Sequence, residues 1–307
     1  MRVASLLSSA TEMVCGLGGA NQLVAISHEC DFPAEIINLP RVTRSIIDSS
    51  APSAEIDQEV RQRLRDGLPL YEIDEALLAS LKPDVILTQA QCDVCAIRLE
   101  DVHRFVKKFA AGAGPQVVSL SPTTLEDVLA DVQAVASVMG MTEQAHQYLA
   151  ELNRRIGTVQ ERGNRFEGSG RPRVVCVEWT EPLMIAGNWT PELIERAGGM
   201  NGLSTLGMHS PTVDWLDVYA FNPDVVLIAP CGFGLARSQE EVKPLLAKGH
   251  LQRLRAMKEG RVFVLDGNAL FNRSGPRLVE TLEVISDLLH GASDGIQLAS
   301  KTWYESA

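Results

Sequence analysis

Hydrophobic positions cluster in short runs along the chain, and each run is followed by a polar loop and a helical pattern. The runs RVASL, QLVAIS, PDVILT and QVVSL come first, and RVVCVEW, PDVVLIAP and RVFVLD follow in the second half. Runs of this length, often β-branched and alternating with helices, predict βα units around parallel strands. The pattern therefore predicts an α/β protein.

The two halves of the chain resemble each other, which predicts two similar lobes. LLASLKPDVILTQ and WLDVYAFNPDVVLIAP both combine a helix, a Pro-Asp turn and a buried strand. Between the halves, apolar residues recur at helical spacing, and Gly140 marks a kink there or costs some helix stability. We expect two Rossmann-like α/β lobes with parallel sheets, over residues 1–121 and 164–307. One long backbone helix over residues 122–163 would join them, with a ligand cleft between the lobes.

Composition and charge narrow the range of functions and partners that are expected. The chain has 307 residues, of which 45% are hydrophobic, so it is long enough to bury a sizeable core. Its formal net charge is -11, and no basic stripe is seen in the sequence. Proteins that bind phosphate backbones or anionic membranes carry one, so nucleic acid is not an expected partner. No apolar run is long enough to span a membrane, so membrane insertion is not expected either.

The N-terminal stretch MRVASLLSSATEMVCGLGGA has one Arg and some apolar character, as a signal peptide would. However, Ser8, Ser9, Thr11 and Glu12 interrupt the apolar run, and Cys15 lacks the context of a lipoprotein cleavage site. We therefore expect a strand and a helix here, no export, a cytoplasmic location and reduced cysteines. If the true start of the chain differs, the expected location becomes periplasmic.

Polar and aromatic side chains follow the predicted strands, at the carboxyl ends where open α/β sheets bind ligands. Two further candidates lie near predicted helix starts, where free N–H groups attract ligand oxygens. Ser9 with Glu12 fits a capping box, and Trp189 precedes the Thr-Pro-Glu start of another helix. The candidate ligand-binding residues are Ser9, His28, Glu29, Phe32, Gln91, Trp179, Trp189, Phe233, Phe271 and Arg273.

These residue types suit a flat metal-containing ligand. Aromatic walls supply a large apolar contact, and Trp179 follows directly from a strand. A neutral imidazole at His28 is a candidate ligand for cobalt, iron or zinc. Arg273 is a candidate to bind amide or carboxylate groups of the ligand. Each side chain also has an ordinary structural interpretation, as a core anchor, a hydrogen-bonded loop residue or half of an ion pair.

The spacing of Cys92 and Cys95 suits a metal ion or a dithiol. No second CxxC occurs in the sequence, so Cys30 and Cys231 would have to complete a four-thiolate zinc or iron–sulfur site. A redox pair is another interpretation, since such motifs open a helix after a strand. A thiol-dependent enzyme, with a cysteine nucleophile near His28, is the third. All four cysteines can also be small packed residues.

Enzyme motifs are scarce in the sequence. It contains no G-x-S-x-G, no P-loop, no H-E-x-x-H and no G-x-G-x-x-G. Non-catalytic binding is therefore favoured over catalysis, although missing motifs do not exclude an enzyme.

Five stretches together resemble the helical-backbone class of substrate-binding proteins of ABC importers, whose ligands are cobalamin, ferric siderophores, haem or bare metal ions. They are LLSSATEMVCGLGG, LKPDVILTQ, GNWTPELIERAGGMNGL, NPDVVLIAP and VLDGNALFNRSGPRLVETLE, in the order of that class. The chain is most similar to the cobalamin-binding branch, at SHECDFP and at the cysteine-bearing loop.

The resemblance implies a ligand held between two lobes, limited closure around a stiff helix, and no catalysis. The implied ligand is cobalamin or a related metal chelate, for transport, delivery or storage. The implied partner is an ABC importer permease, contacted through an acid on each lobe near Glu75 and Glu192.

Overall fold

Strands and helices alternate along the chain as predicted. The computed structural model describes residues 1–90, 97–109, 114–164 and 170–291 and the backbone of 299–300. The strands are β1 (Val3–Ser5), β2 (Leu23–Ile26), β3 (Thr43–Ser45), β4 (Tyr71–Ile73), β5 (Val85–Gln89), β6 (Gln116–Leu120), β7 (Val174–Thr180), β8 (Leu183–Ile185), β9 (Val225–Ile228), β10 (Val262–Leu265) and β11 (Ala299–Ser300). The helices are α1 (Ser8–Gly16), α2 (Ser53–Arg65), α3 (Glu75–Leu81), α4 (Leu99–Phe109), α5 (Leu125–Met139), α6 (Thr142–Gly163), α7 (Thr190–Arg196), α8 (Trp215–Phe221), α9 (Leu235–Ala247), α10 (Arg255–Lys258) and α11 (Leu278–His290).

The N-terminal lobe is built on a parallel sheet with strand order β2-β1-β5-β6. Every residue of β1 and of β5 is buried, as expected of strands covered by helices on both faces. A separate antiparallel pair, β3 and β4, lies beyond the β2 edge, where Ile26 bridges to Arg41. All four strands of the main sheet point their carboxyl ends in one direction.

The C-terminal lobe is built on a sheet with order β11-β10-β9-β7-β8. Its three central strands are parallel, as predicted, whereas β8 and β11 are antiparallel edges. β8 pairs with β7 through a tight connection, Thr180 to Leu183. The stretch after β7 therefore makes a hairpin before helix α7 begins.

The predicted linking helix over residues 122–163 consists of two helices, α5 and α6. Helix α5 ends because Gly140 adopts a left-handed conformation, with φ of 69°, and its N–H caps the carbonyls of Ala136 and Ser137. Helix α5 packs against α1 of the first lobe, and α6 packs against α11 of the second. The two-lobe architecture is confirmed, and the connection between the lobes is a helix pair.

One hydrophobic cluster runs through both lobes and the helix pair. It includes Met13 of α1, Val132 of α5, Ile156 of α6 and Leu282 of α11, each no more than 4% exposed. The lobes are therefore joined by a shared core as well as by the chain. No helix in the described part of the chain is long and apolar enough to cross a membrane.

Candidate functional site

The loops after β2 and β10 meet between the lobes through Arg273. This residue follows a π-helical turn, Gly267–Phe271, that extends β10. Its guanidinium donates to both oxygens of Asp31, at 2.7 and 2.9 Å, and to Oε1 of Glu12 at 3.0 Å. Asn268 donates a further hydrogen bond to Asp31 at 3.1 Å. We call Glu12, Asp31, Phe32, Arg273 and Arg277 the inter-lobe floor.

The charged side chains of the inter-lobe floor differ in burial and in the direction in which their pKa values shift. Burial raises the pKa of Glu12 to about 7, against the opposing effect of the Arg273 charge. Partial burial opposes ionisation of Asp31, but the hydrogen bonds and charge of Arg273 outweigh it and lower its pKa. Burial likewise opposes the charge of Arg273, and its bonds to Asp31 and Glu12 outweigh that burial and raise its pKa. Arg273 therefore stays cationic, and Asp31 is its main counter-ion.

Ser9 lies beneath this floor, and the predicted capping box is wrong. Helix α1 begins at Ser8 with Leu7 as its N-cap, without a side-chain capping bond. The reason is that the Glu12 carboxylate binds Arg273 of the other lobe instead of its own helix end. Ser9 is 3% exposed and accepts a long hydrogen bond from Ser274 at 3.5 Å. Its place in the fold is an inter-lobe contact.

Two aromatic groups lie at the strand ends, one on each lobe. In the C-terminal lobe, Trp179 at the end of β7 packs on Phe233, with ring centroids 5.3 Å apart. The guanidinium of Arg237 lies 4.9 Å from the Phe233 ring. In the N-terminal lobe, Phe32 is 43% exposed and covers Arg277, whose guanidinium lies 4.3 Å from the ring. Three aromatic residues named from the sequence are therefore placed at the strand ends.

Trp189 and Phe271 are in the core. They are 7% and 2% exposed, and the indole N–H of Trp189 donates to the Phe271 carbonyl at 2.9 Å. This bond fixes the start of α7 against the turn that carries Arg273. Both were predicted to bind a ligand, and the structure instead places them in the core at the turn that precedes Arg273.

His28 and Glu29 follow β2 at the edge of the N-terminal sheet. Nδ1 of His28 lies 2.7 Å from the Thr43 hydroxyl, and its ring leans on Tyr71 at 5.5 Å. Burial, with a smaller effect of Arg41, lowers the pKa of His28, so the imidazole is neutral at neutral pH. Nε2 lies 3.9 Å from a Glu29 oxygen. A neutral imidazole held at Nδ1 has the form in which histidine binds metals.

The structure describes two of the four cysteines of the predicted thiolate site, Cys30 and Cys231. Gln91, Cys92 and Cys95 lie outside the described residues. Cys30 is fully buried 3.1 Å from the Thr11 hydroxyl, and burial raises its pKa to about 11, which opposes thiolate ligation. Cys231 is half-buried after β9. Within the described part of the chain, no group of three or more His, Cys, Asp and Glu side chains has a metal-binding arrangement.

Sequence reasoning missed a second contact between the lobes. The Ser53 hydroxyl, at the start of α2, lies 3.0 Å from the hydroxyl of Thr180, which donates to Glu241 at 3.1 Å. Arg237 donates to the Ala51 carbonyl at 2.8 Å. We call Ala51, Ser53, Thr180, Arg237 and Glu241 the bridge. No local pattern could have revealed it, because the residues that meet across the lobes, Ser53 with Thr180 and Ala51 with Arg237, are more than a hundred residues apart along the chain.

The two acids named as importer contacts are engaged within the protein. Glu75 pairs with Lys108 at 2.5 Å. Glu192 accepts a hydrogen bond from the Leu125 backbone at 2.9 Å and pairs with Arg196. Glu192 therefore ties α7 to the first turn of α5.

Sequence comparisons identify relatives along almost the whole chain. A family model described as periplasmic binding protein matches residues 3–269. The vitamin B12-binding protein of Pectobacterium carotovorum is 27% identical over 297 residues, covering 96% of this chain and 90% of that protein. The vitamin B12-binding protein of Photorhabdus laumondii is 25% identical, covering 94% and 88%.

Solved structures share the fold at low identity. A periplasmic heme-binding protein from Pseudomonas aeruginosa aligns with a TM-score of 0.70 and 22% identity, over 97% of this chain and 96% of that one. The periplasmic vitamin B12 binding protein of Vibrio cholerae aligns with a TM-score of 0.65 and 19% identity, over 95% and 98%.

Proposed function

The chain belongs to the periplasmic binding protein family, and from this premise we propose that it captures cobalamin or a related metal chelate between its two lobes. The fold and the curated relatives agree on ligand binding rather than catalysis. The proposal goes further in naming the chelate and its place in the cleft.

The family corrects the expected location. A cytoplasmic location is wrong, because the matching family and the similar structures are periplasmic binding proteins. The expectation depended on Ser8, Ser9, Thr11 and Glu12 interrupting a signal peptide. In the structure these residues form α1, where Thr11 contacts Cys30 and Glu12 pairs with Arg273. Their polarity serves the fold and carries no information about targeting.

The observation that carries the proposal is the set of aromatic surfaces at the strand ends of both lobes. Trp179, which is half-buried and packs on the buried Phe233, forms one surface, and Phe32 over Arg277 forms the other. Aromatic faces provide broad apolar contact at low entropic cost, which suits a flat macrocycle. The strand ends are also where α/β sheets bind ligands.

Haem is the second candidate ligand. Its support is His28, whose neutral imidazole is oriented through Nδ1 by Thr43 and is 24% exposed at its side chain. An axial imidazole would suit iron in a porphyrin as well as cobalt in a corrin. The proposed partner in either case is an ABC importer permease that receives the captured chelate.

The proposal is tested by titrating the reduced, metal-free protein with hydroxocobalamin and, separately, with haemin, while the visible spectrum is followed. We expect saturable one-to-one binding of at least one chelate. A band shift that is lost in His28→Ala would assign the imidazole as the axial ligand. If neither chelate binds, the proposed function is wrong.

Matched tryptophan variants locate the bound chelate. Trp179→Leu is expected to weaken binding about fivefold, since stacking on a large aromatic face is worth about 1 kcal/mol beyond its apolar area. Trp215→Leu is the control, because Trp215 stacks on His250 of its own lobe at 4.7 Å, on α8. Equal effects of the two substitutions would remove Trp179 from the site.

A further inference from the structure

The inter-lobe floor exposes acidic and aromatic groups and buries its cations. The Asp31 side chain is 53% exposed, and Phe32 is 43% exposed. Beneath them, the side chains of Arg273 and Arg277 are only 5% and 14% exposed. A ligand that settles on the floor therefore meets a carboxylate and a phenyl ring before it meets a guanidinium.

The terminal nitrogens of Arg273 are already used as hydrogen-bond donors within the protein, and Arg277 uses its Nε. Both terminal nitrogens of Arg273 donate to Asp31, one of them also to Glu12 and the other to the Glu29 carbonyl at 3.4 Å. Arg277 donates from Nε to Glu280 at 3.0 Å, and Phe32 covers its plane. Arg273 therefore presents no free fork of the kind with which arginine binds a ligand carboxylate, whereas the Arg277 guanidinium lies against the Phe32 ring with its Nη1 3.9 Å from Glu12.

Two cations of the C-terminal lobe are also paired with carboxylates. Lys248 pairs with Glu181, which follows β7, at 2.5 Å, and Arg237 pairs with Glu241 at 2.5 Å. On the opposite lobe, Glu29 lies beside the floor with its side chain 43% exposed, and burial raises the pKa of its carboxyl against the opposing charge of Arg273.

We propose that the floor selects macrocycles whose edge carries neutral amides over macrocycles whose edge carries carboxylates, with Asp31 as the specificity-determining residue. The inference rests on the proposed function and names the class of chelate. An amide N–H can donate to the exposed Asp31 carboxylate, which is a charge-assisted hydrogen bond. A ligand carboxylate at the same place meets the exposed Asp31 carboxylate, and the Arg273 charge that would attract it is buried and already bound to Asp31.

Two corrins with the same ring provide the test. Dicyanocobinamide carries amides around the corrin, and dicyanocobyrinic acid carries carboxylates at the equivalent positions. Each is titrated into the wild type, Asp31→Asn and Glu151→Gln, with absorbance as the readout and thermal unfolding as the check on folding. Glu151→Gln is the matched control, because it removes the same charge from an exposed pair with Arg154 on α6.

We expect the wild type to bind the amide corrin at least about tenfold more tightly, the ratio that one charge-assisted hydrogen bond supplies. Asp31→Asn should narrow that ratio by about tenfold, because it removes the like charge and releases Arg273, whereas Glu151→Gln should leave the ratio unchanged.

Three results would overturn the inference while the proposed function stands. In the first, the wild type binds the carboxylate corrin as tightly as the amide corrin, or more tightly. In the second, Asp31→Asn and Glu151→Gln change the ratio of the two affinities equally. In the third, the wild type binds haemin but neither corrin. If neither corrin nor haemin binds the wild type, the proposed function itself fails. Should Asp31→Asn not fold, the wild-type ratio decides the amide preference by itself.

Discussion

The carboxylate of Glu12 shows that a contact between the lobes can replace the local interaction that the sequence predicts. Glu12 lies three residues after Ser9, a spacing that predicts a capping box, yet its side chain is 2% exposed and paired with Arg273. Its Oε2 has no hydrogen-bond partner among the described residues. Gly275 allows this approach, since a Cβ there would lie 3.3 Å from Oε2 and 3.2 Å from Ser9. Burial of an incompletely bonded carboxylate favours its protonated form.

Replacing Glu12 by Gln should change the pH dependence of stability. Burial raises the pKa of Glu12 from 4.5 to about 7, so in that window the folded state holds a proton that the unfolded chain has released. This makes the free energy of unfolding fall as the pH rises. Gln does not titrate. The free energy of unfolding of Glu12→Gln, relative to that of the wild type, should therefore rise by up to about 3 kcal/mol between about pH 5 and about pH 8. Urea unfolding at both pH values measures this gain, and a difference that does not vary with pH would contradict it.

At the scale of elements, the connection between the lobes depends on one glycine. The apolar positions of α5 and α6 follow helical spacing on both sides of Gly140, so periodicity alone predicts one helix. The left-handed backbone at Gly140 instead ends α5 and lets the chain turn into α6. Each helix then packs on a different lobe.

Two glycine substitutions test this account of the connection. Gly140→Ala should destabilise the protein by about 1 kcal/mol, because a Cβ is unfavourable in the left-handed region. Gly157→Ala, inside α6, should stabilise it by about 0.5–1 kcal/mol, because Ala is the better helix former. A Cβ at either position meets nothing within 4 Å, so packing does not confuse the comparison. Urea unfolding of both variants is the measurement, and shifts in the same direction would refute the assignment.

At the scale of the whole molecule, the lobes are held by three contacts of different kinds. The shared hydrophobic cluster runs through the helix pair, the floor pairs charges across the lobes, and the bridge adds neutral hydrogen bonds. The floor and the bridge are thus two polar contacts between the lobes, and the limited closure that the family resemblance implied stays a prediction.

Removing the bridge should loosen one side of the cleft. In Ser53→Ala combined with Arg237→Ala, the bonds to Thr180 and to the Ala51 carbonyl are lost. We expect faster amide hydrogen exchange in the segment before α2 and unchanged exchange in β1 and β5, because local opening follows local bonding. Arg154→Ala, which breaks a surface pair on α6, is the control. Unchanged exchange before α2 would show that the bridge does not hold the lobes.

Much of the fold was predictable because it depends on local patterns. Short β-branched runs predicted the strands, and their alternation with helices predicted parallel sheets. The similarity between the two halves of the chain predicted two lobes. The carboxyl-end rule also predicted that Phe32, Trp179, Phe233 and Arg273 lie at or after the carboxyl ends of strands, and the structure places them there, while a ligand role for them stays a prediction. The antiparallel edges β8 and β11 were not predicted, since a short apolar run does not fix strand direction.

The sequence by itself determined the α/β architecture, the two lobes and the chemistry available at the strand ends, because hydrophobic period and chain order are local properties. Only the tertiary structure decided which charges meet. Arg273 finds Glu12 and Asp31 more than two hundred residues away, and Ser53 finds Thr180 across the cleft. Pairing over such distances depends on how the lobes dock, and burial then sets the protonation of Glu12 and the surface that a ligand meets.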